Sequence, residues 1–305
     1  MILMTKKMKC VMAFGCLILM LLFIPRISKR QKAQSDHPNI TLFTAWSTFP
    51  ERYEVFNNTL RNWPLLQPHV KLYLFTNDFI PGQLEYEKLG WTILPIYRTI
   101  EGCGVVKDLY LRVMQLEPES KVYAMVNGDI LLTGNFLKNL HDITSSPLLK
   151  DKTYFLTGRK LNITNVTREE ASSWENIERA SKRGVLVNEM WGIDYYITPP
   201  SYHWHLYPDF QLWRSFYDNW MIWDARRMGY IVIDATQTLL APHQNAPYPK
   251  NRGNVFNNLK YMKVNRSVLY TKGTIPCCEY HTVLENDMVT LKRRDTIPDR
   301  CNLLN

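Results

Sequence analysis

Residues 121–133 read KVYAMVNGDILLT: an apolar run, then Asn127-Gly128-Asp129, then a second apolar stretch. An unbroken apolar segment of this length suits a strand buried on both faces of a sheet. Two structures fit the Asn-Gly-Asp at its end. Asn-Gly between apolar runs is a strong signal for a two-residue hairpin turn. Alternatively, Asp129 ends a central strand, where its carboxylate can hold a hard divalent cation that also grips two phosphates.

Upstream, strand-like and helix-like stretches alternate. Residues 40–45 read as strand, 51–63 as an amphipathic helix, 70–76 as strand, 84–89 as helix and 92–96 as strand. A helix over 105–116, stopped by Pro118, leads into the strand 122–126. That β-α-β rhythm predicts an α/β fold with a mostly parallel sheet flanked by helices, and ligands of such sheets bind beyond the carboxyl ends of strands. Downstream, strands are expected at 153–157, 193–197 and 230–234, helices at 168–182 and 215–228, and a loop at 242–258.

From just before the second helix onward, Trp213, Phe216, Tyr217, Trp220, Met221 and Met228 recur at helical spacing and read first as a core-facing stripe, second as a sugar platform. Asp218 lies off that stripe. It has capping-box spacing from Ser215, and a carboxylate at a cleft mouth can also take a proton as general base. Asp224 falls inside the stripe and calls for an Arg or backbone donor. His243 comes after an apolar strand; a lone histidine is often structural, but an imidazole beside a carboxylate is also an ordinary metal ligand.

The chain has 305 residues, 46% hydrophobic and 21% charged, a folded globular composition with room for one large domain. Its formal charge of +9 is spread along the chain without an aromatic-basic repeat, so no nucleic-acid partner is expected. Residues 10–24 form an apolar run flanked by lysines and by Pro25-Arg26. It is short for an average bilayer, with snorkelling Lys9 and Arg26 extending it. The expected organisation is a cytoplasmic tail at 1–9, a transmembrane signal-anchor at 10–25, a stem at 26–38 and a lumenal domain at 39–305. A cleaved signal peptide, giving a secreted protein, is the rival reading.

Glycan-acceptor triplets begin at Asn39, Asn57, Asn162, Asn165 and Asn265. Outside the apolar run stand Cys103, Cys277, Cys278 and Cys301, compatible with two disulfides in an oxidising lumen. The expectation is that Cys277 and Cys278 tie Cys301 and Cys103 into the domain.

Taken together, Asn127-Gly128-Asp129, Gly158-Arg159, Tyr217-Asp218-Asn219-Trp220, the stretch 231–236 and His243-Gln244 resemble, in order and spacing, the nucleotide-diphospho-sugar transferase superfamily, glycosyltransferases of GT-A fold. The resemblance spans residues 39–248. It implies a Rossmann-like nucleotide-binding half, an acceptor-binding half, and a divalent metal, Mn2+ or Mg2+. It assigns Asp129 and His243 to the metal and Asp218 to the base of inverting members. Thr44, Ala45, Asp78, Asn127, Arg159 and Asn219 would lie toward the nucleotide-sugar donor. Implied partners are that donor, a glycan or glycoprotein acceptor and a membrane crossed once, in the Golgi. Two departures stand out: Asn127 replaces a first Asp, and Trp213 stands where a Gly is usual before the Arg. The other reading they support is a catalytically silent binding or scaffold protein.

Overall fold

A computed structural model describes residues 39–47, 49–246 and 254–303. The expected tail, membrane anchor and stem lie outside the described residues. Among the described residues, no helix is long and apolar enough to cross a membrane.

The strands are β1 (Ile40–Ala45), β2 (Val70–Phe75), β3 (Trp91–Leu94), β4 (Thr99–Ile100), β5 (Cys103–Gly104), β6 (Val122–Val126), β7 (Tyr154–Thr157), β8 (Leu161–Thr164), β9 (Val185–Leu186), β10 (Tyr195–Thr198), β11 (Ile231–Asp234), β12 (Pro242–Asn245), β13 (Tyr280–Glu285) and β14 (Met288–Arg293). Nine of them form one sheet in the order β14-β13-β11-β7-β10-β6-β1-β2-β3. Only β10 and β14 run against the rest. The fold is therefore α/β with a large, mostly parallel sheet flanked by helices, as the alternating pattern predicts.

The central strands are apolar throughout because both faces are covered. Val122, Ala124 and Val126 of β6 face one core with Leu42, Phe136 and Leu140, while Tyr123 and Met125 face the other with Phe43, Tyr110 and Met221. Helices Tyr53–Asn62 and Gly134–Thr144 cover the first face; Val106–Leu116 and Tyr217–Arg227 cover the second.

The two-residue hairpin at Asn127-Gly128 does not form. β6 pairs with β1 and β10, and the chain beyond the turn pairs elsewhere, Ile130 bridging His243. Residues 242–245 are strand β12, not loop, hydrogen-bonded alongside β8. Pro242 is tolerated as its first residue, where a missing N–H costs no ladder bond. The helix expected at 215–228 spans Tyr217–Arg227, and no Ser215 cap forms: Phe216 is the capping position, without a side-chain bond. The helix expected at 168–182 is confined to Trp174–Ser181, begun by the side chain of Ser173 accepting from Asn176 N–H.

Among the described residues one disulfide is present, Cys277–Cys301, which matches half of the expected pattern. Cys103 and Cys278 are buried free thiols. Cys278 packs into the core under the second sheet face, whereas Cys103 stands on the β4–β5 hairpin. Of the acceptor triplets, Asn39, Asn165 and Asn265 are exposed. Asn57 and Asn162 are half-buried, and Asn57 Oδ1 already accepts from Tyr86 and Arg61.

Candidate active site

The site is built on the end of β6. Beyond Val126 the chain closes a turn, Ile130 N–H donating to Asn127 O at 3.0 Å, which leaves Asp129 buried at the carboxyl end of the sheet. Gly128 fits closely there: a Cβ would meet the Phe56 ring at 3.1 Å and Thr44 Oγ1 at 3.3 Å, so a larger residue would have to displace them by a few tenths of an ångström. Strand β10 runs antiparallel beside β6 with Tyr195 opposite Val126, so its first residues stand where β6 ends. This register brings Asp194 to the turn, fixed by Asn127 N–H donating to Asp194 O at 2.9 Å. From the other side β12 supplies His243, held by Gln244 N–H donating to Asp129 O at 2.9 Å.

Asp129, Asp194 and His243 therefore converge, each buried, with one potential ligand atom apiece lying within 4.8 Å of the others. His243 Nε2 is 3.2 Å from Asp129 Oδ2 and 4.0 Å from Asp194 Oδ2. Two cations compensate the carboxylates: Arg52 Nη2 lies 2.5 Å from Asp129 Oδ2, and Lys160 Nζ lies 2.5 Å from Asp194 Oδ2. Burial alone would raise the Asp129 pKa. The opposing pull of His243, then of Arg52 and Lys160, outweighs it and holds Asp129 well below the usual carboxylate range.

The donor set fits a hard divalent cation. Two carboxylates and one imidazole are ordinary ligands for Mn2+ or Mg2+. Asp129 Oδ1 is also a buried carboxylate oxygen with no hydrogen-bond partner among the described residues, a costly arrangement unless something else satisfies it.

Two adjoining cavities meet at this cluster. One, of about 130 Å³, is lined by Ala45, Arg52, Asn127 and Asp129; the other, of about 190 Å³, by Lys160, Asp194, Asp218 and Asn219. Asn127, Trp213 and Tyr217 line both. Asp218 lies in the first turn of the helix Tyr217–Arg227, and its Oδ1 accepts Asn219 N–H at 2.9 Å. Burial, with the nearby charge of Asp194 adding to it, pushes the Asp218 carboxyl up to about 7, against Asn219 N–H and Lys160. A carboxylate of that basicity is matched to proton abstraction near neutral pH. Two aromatic residues just before it hold left-handed backbone, Trp213 at φ 61° and Phe216 at φ 78°. Bulky side chains occupy that region only where surrounding packing compels it, and here it turns Trp213 and Tyr217 toward the cleft.

The other residues singled out in the sequence divide. Thr44 is buried at the end of β1 and Ala45 lines the first cavity. Asp78 is exposed on the loop after β2, outside both linings. Arg159 turns away, its Nε donating to Val187 O at 2.7 Å, and its neighbour Lys160 enters the site instead. Asn219 is structural in its side chain, which donates to Gly273 O at 2.8 Å and to Met190 O at 3.3 Å. Asp224 has the Arg partner its position calls for, Arg227 at 2.6 Å. Sequence reasoning missed Asp194, Lys160 and Arg52. The one available signal was an acidic residue, second in the otherwise apolar stretch Ile193 to Ile197.

No protein-family model matches the chain, and no curated protein matches it. Among solved structures it is similar to a mannosyltransferase from Pyrobaculum calidifontis in complex with GDP-Man and Mn2+, at 12% identity over 71% of this chain and 59% of that one, TM-score 0.41. It is also similar to glucosyl-3-phosphoglycerate synthase from Mycobacterium tuberculosis in complex with Mn2+, UDP-Glc and phosphoglyceric acid, at 10% identity over 69% of this chain and 73% of that one, TM-score 0.39. A mycobacterial protein is similar over 84% of each chain, at 10% identity and TM-score 0.38.

Proposed function

We propose that this chain is a glycosyltransferase that moves a sugar from a nucleotide-sugar to a hydroxyl of a glycan or glycoprotein. One observation carries the reading: Asp129, Asp194 and His243 converge at the carboxyl end of β6, on a cleft whose adjoining cavity contains Asp218. Asp129, Asp194 and His243 would hold Mn2+ or Mg2+, which when bound neutralises charge on the departing diphosphate. Asp218 takes the proton of the acceptor hydroxyl as its oxygen bonds to the anomeric carbon. The bond from that carbon to the diphosphate breaks, and the nucleoside diphosphate leaves with the electron pair. Attack opposite the leaving group inverts the anomeric centre. Trp213 and Tyr217, shared by both cavities, wall the cleft and limit water at the reacting carbon. Residues 10–25 would anchor the enzyme in the Golgi membrane with residues 39–305 in the lumen, and glycosidase-sensitive glycans at Asn39, Asn165 or Asn265 would test that orientation.

Calorimetry of the full chain with a panel of nucleotide-sugars, with and without MnCl2, tests the activity. Metal-dependent binding of one donor, slow donor hydrolysis, and loss of both in Asp129→Ala are expected. Unchanged turnover in that variant removes the metal from the mechanism.

A second reading, a silent transferase-like fold that binds or scaffolds, is favoured by Arg52 and Lys160, which already compensate the two carboxylates. Donor binding of equal strength with and without MnCl2, and no hydrolysis, would select it.

A further inference from the structure

The cavity that holds Asp218 has an aromatic rim that the transfer chemistry leaves unused. Trp191, in the turn before β10, lines it together with Lys160, Asp194, Ser215 and Asp218. All nine tryptophans lie among the described residues, and Trp191 is the exposed one, at 51%. A single exposed aromatic is ordinary on a protein surface, but this one is fixed in place beside the base.

Three sets of contacts fix it. Trp191 N–H and Gly192 N–H each donate to Asn188 O at 3.1 Å, closing the turn, and Lys160 N–H donates to Gly192 O at 2.7 Å, joining the turn to the segment that carries the cleft lysine. The Tyr270 ring meets the indole edge to face, with centres 4.9 Å apart and planes at 65°. Tyr270 is itself held by Arg266, whose Nη2 donates to its hydroxyl at 3.0 Å and whose guanidinium lies 5.0 Å from its ring centre. Asn219, the neighbour of Asp218, donates to Met190 O and to Gly273 O, so one side chain ties both the Trp191 turn and the end of the helix Arg266–Lys272 to the start of the helix that bears the base. A surface held ready in this way loses little freedom when a ligand settles on it.

An exposed aromatic face beside buried hydrogen-bonding side chains matches a molecule with C–H groups on one face and hydroxyls at its edge, which describes a sugar ring. A serine or threonine hydroxyl brings no flat face to cover the indole. The stack reads the ring and is indifferent to the charge of its substituents.

We infer that Trp191 is the platform on which the acceptor stacks, so that the accepting hydroxyl belongs to a sugar ring and not to a Ser or Thr side chain. This rests on the transferase reading of the site. The test is transfer by the full chain, with MnCl2 and the donor selected by calorimetry, to methyl β-galactopyranoside, methyl α-mannopyranoside, methyl β-glucuronide and a peptide containing Ser and Thr. At least one glycoside should accept, and the peptide should not. Trp191→Ala should raise the KM for that glycoside by about tenfold or more, the scale of removing an aromatic anchor, with kcat little changed and metal-dependent donor binding retained. Trp191→Phe, which keeps an aromatic face, should recover most of the loss. An unchanged acceptor KM in Trp191→Ala, a fall in kcat alone, transfer only to the peptide, or donor hydrolysis with no glycoside accepting would each overturn the inference and leave the transferase reading standing. No donor binding or hydrolysis by the unaltered chain would remove both.

Discussion

Two buried His–Asp pairs in this molecule are nearly identical as pairs and opposite in consequence. His243 lies 3.2 Å from Asp129, and His203 lies 3.2 Å from Asp224. Each carboxylate also has an arginine, Arg52 at 2.5 Å and Arg227 at 2.6 Å. The difference is in what is left over. Both oxygens of Asp224 are spent, Oδ1 on Arg227 and Oδ2 on His203. Asp129 keeps Oδ1 without a hydrogen bond, and the register of β10 places a second carboxylate, Asp194, on the same imidazole. A cation needs surplus anionic oxygens, so the first pair suits a metal and the second is a closed structural pair.

The largest effect is expected from breaking each pair in the same way. Asp129→Asn should lower transfer about 10³-fold, the scale of losing electrostatic stabilisation of a leaving anion, and abolish the dependence of donor binding on MnCl2 in calorimetry. Asp224→Asn should leave metal dependence intact and instead destabilise the fold by about 1–2 kcal/mol, the scale of weakening the hydrogen bonds from His203 and the half-exposed Arg227, measured by urea unfolding. Equal loss of metal-dependent binding in both variants would erase the distinction.

A smaller effect sharpens it. Arg52 and a metal compete for Asp129, so Arg52→Gln should tighten Mn2+ binding by about tenfold, about 1.4 kcal/mol, as followed by the ion's effect on water proton relaxation. Arg227→Gln should create no Mn2+ site, because among the described residues Asp224 has no second carboxylate beside it. Mn2+ binding at Asp224 in that variant would contradict the surplus-ligand argument.

How much of the fold and site was legible in the sequence depends on the range of the interactions. Strands β1, β2 and β6 and the helices between them were readable because burial on both faces writes an unbroken apolar run, as in Val122–Val126. Asp129 and Asp218 were legible as carboxylates beside element boundaries, and His243 as a ligand type. Asp194 was not, because only the antiparallel register of β10 against β6 carries it to Asp129. The choice between Arg159 and Lys160 was equally hidden: adjacent side chains in an extended segment point to opposite sides, and which side is the cleft depends on β12 pairing beside β8. The hairpin signal of Asn127-Gly128 was a correct report of a turn, but which strand the chain pairs with after a turn is a tertiary matter.

Asp218 gives the finest test, because its function and its stability cost have opposite signs. Its carboxyl is pushed up to about 7 from an ordinary value of 3.8, first by burial and then by Asp194. As a base it works only when ionised, so kcat/KM should fall about tenfold per pH unit below about pH 7. In the same range the folded state holds the proton more tightly than the unfolded chain does, so Asp218 favours folding less and less as pH rises from about 4 to about 7. Asparagine resembles the protonated form. Asp218→Asn should therefore leave the melting temperature unchanged at pH 4, raise it at pH 8, and lower transfer by about 10²–10⁴-fold. A capping role alone predicts the reverse at pH 8, since an ionised carboxylate in the first helical turn stabilises a helix. A melting temperature that falls at pH 8 in Asp218→Asn would make this residue a helix-start anion rather than a base held ready at a cost in stability.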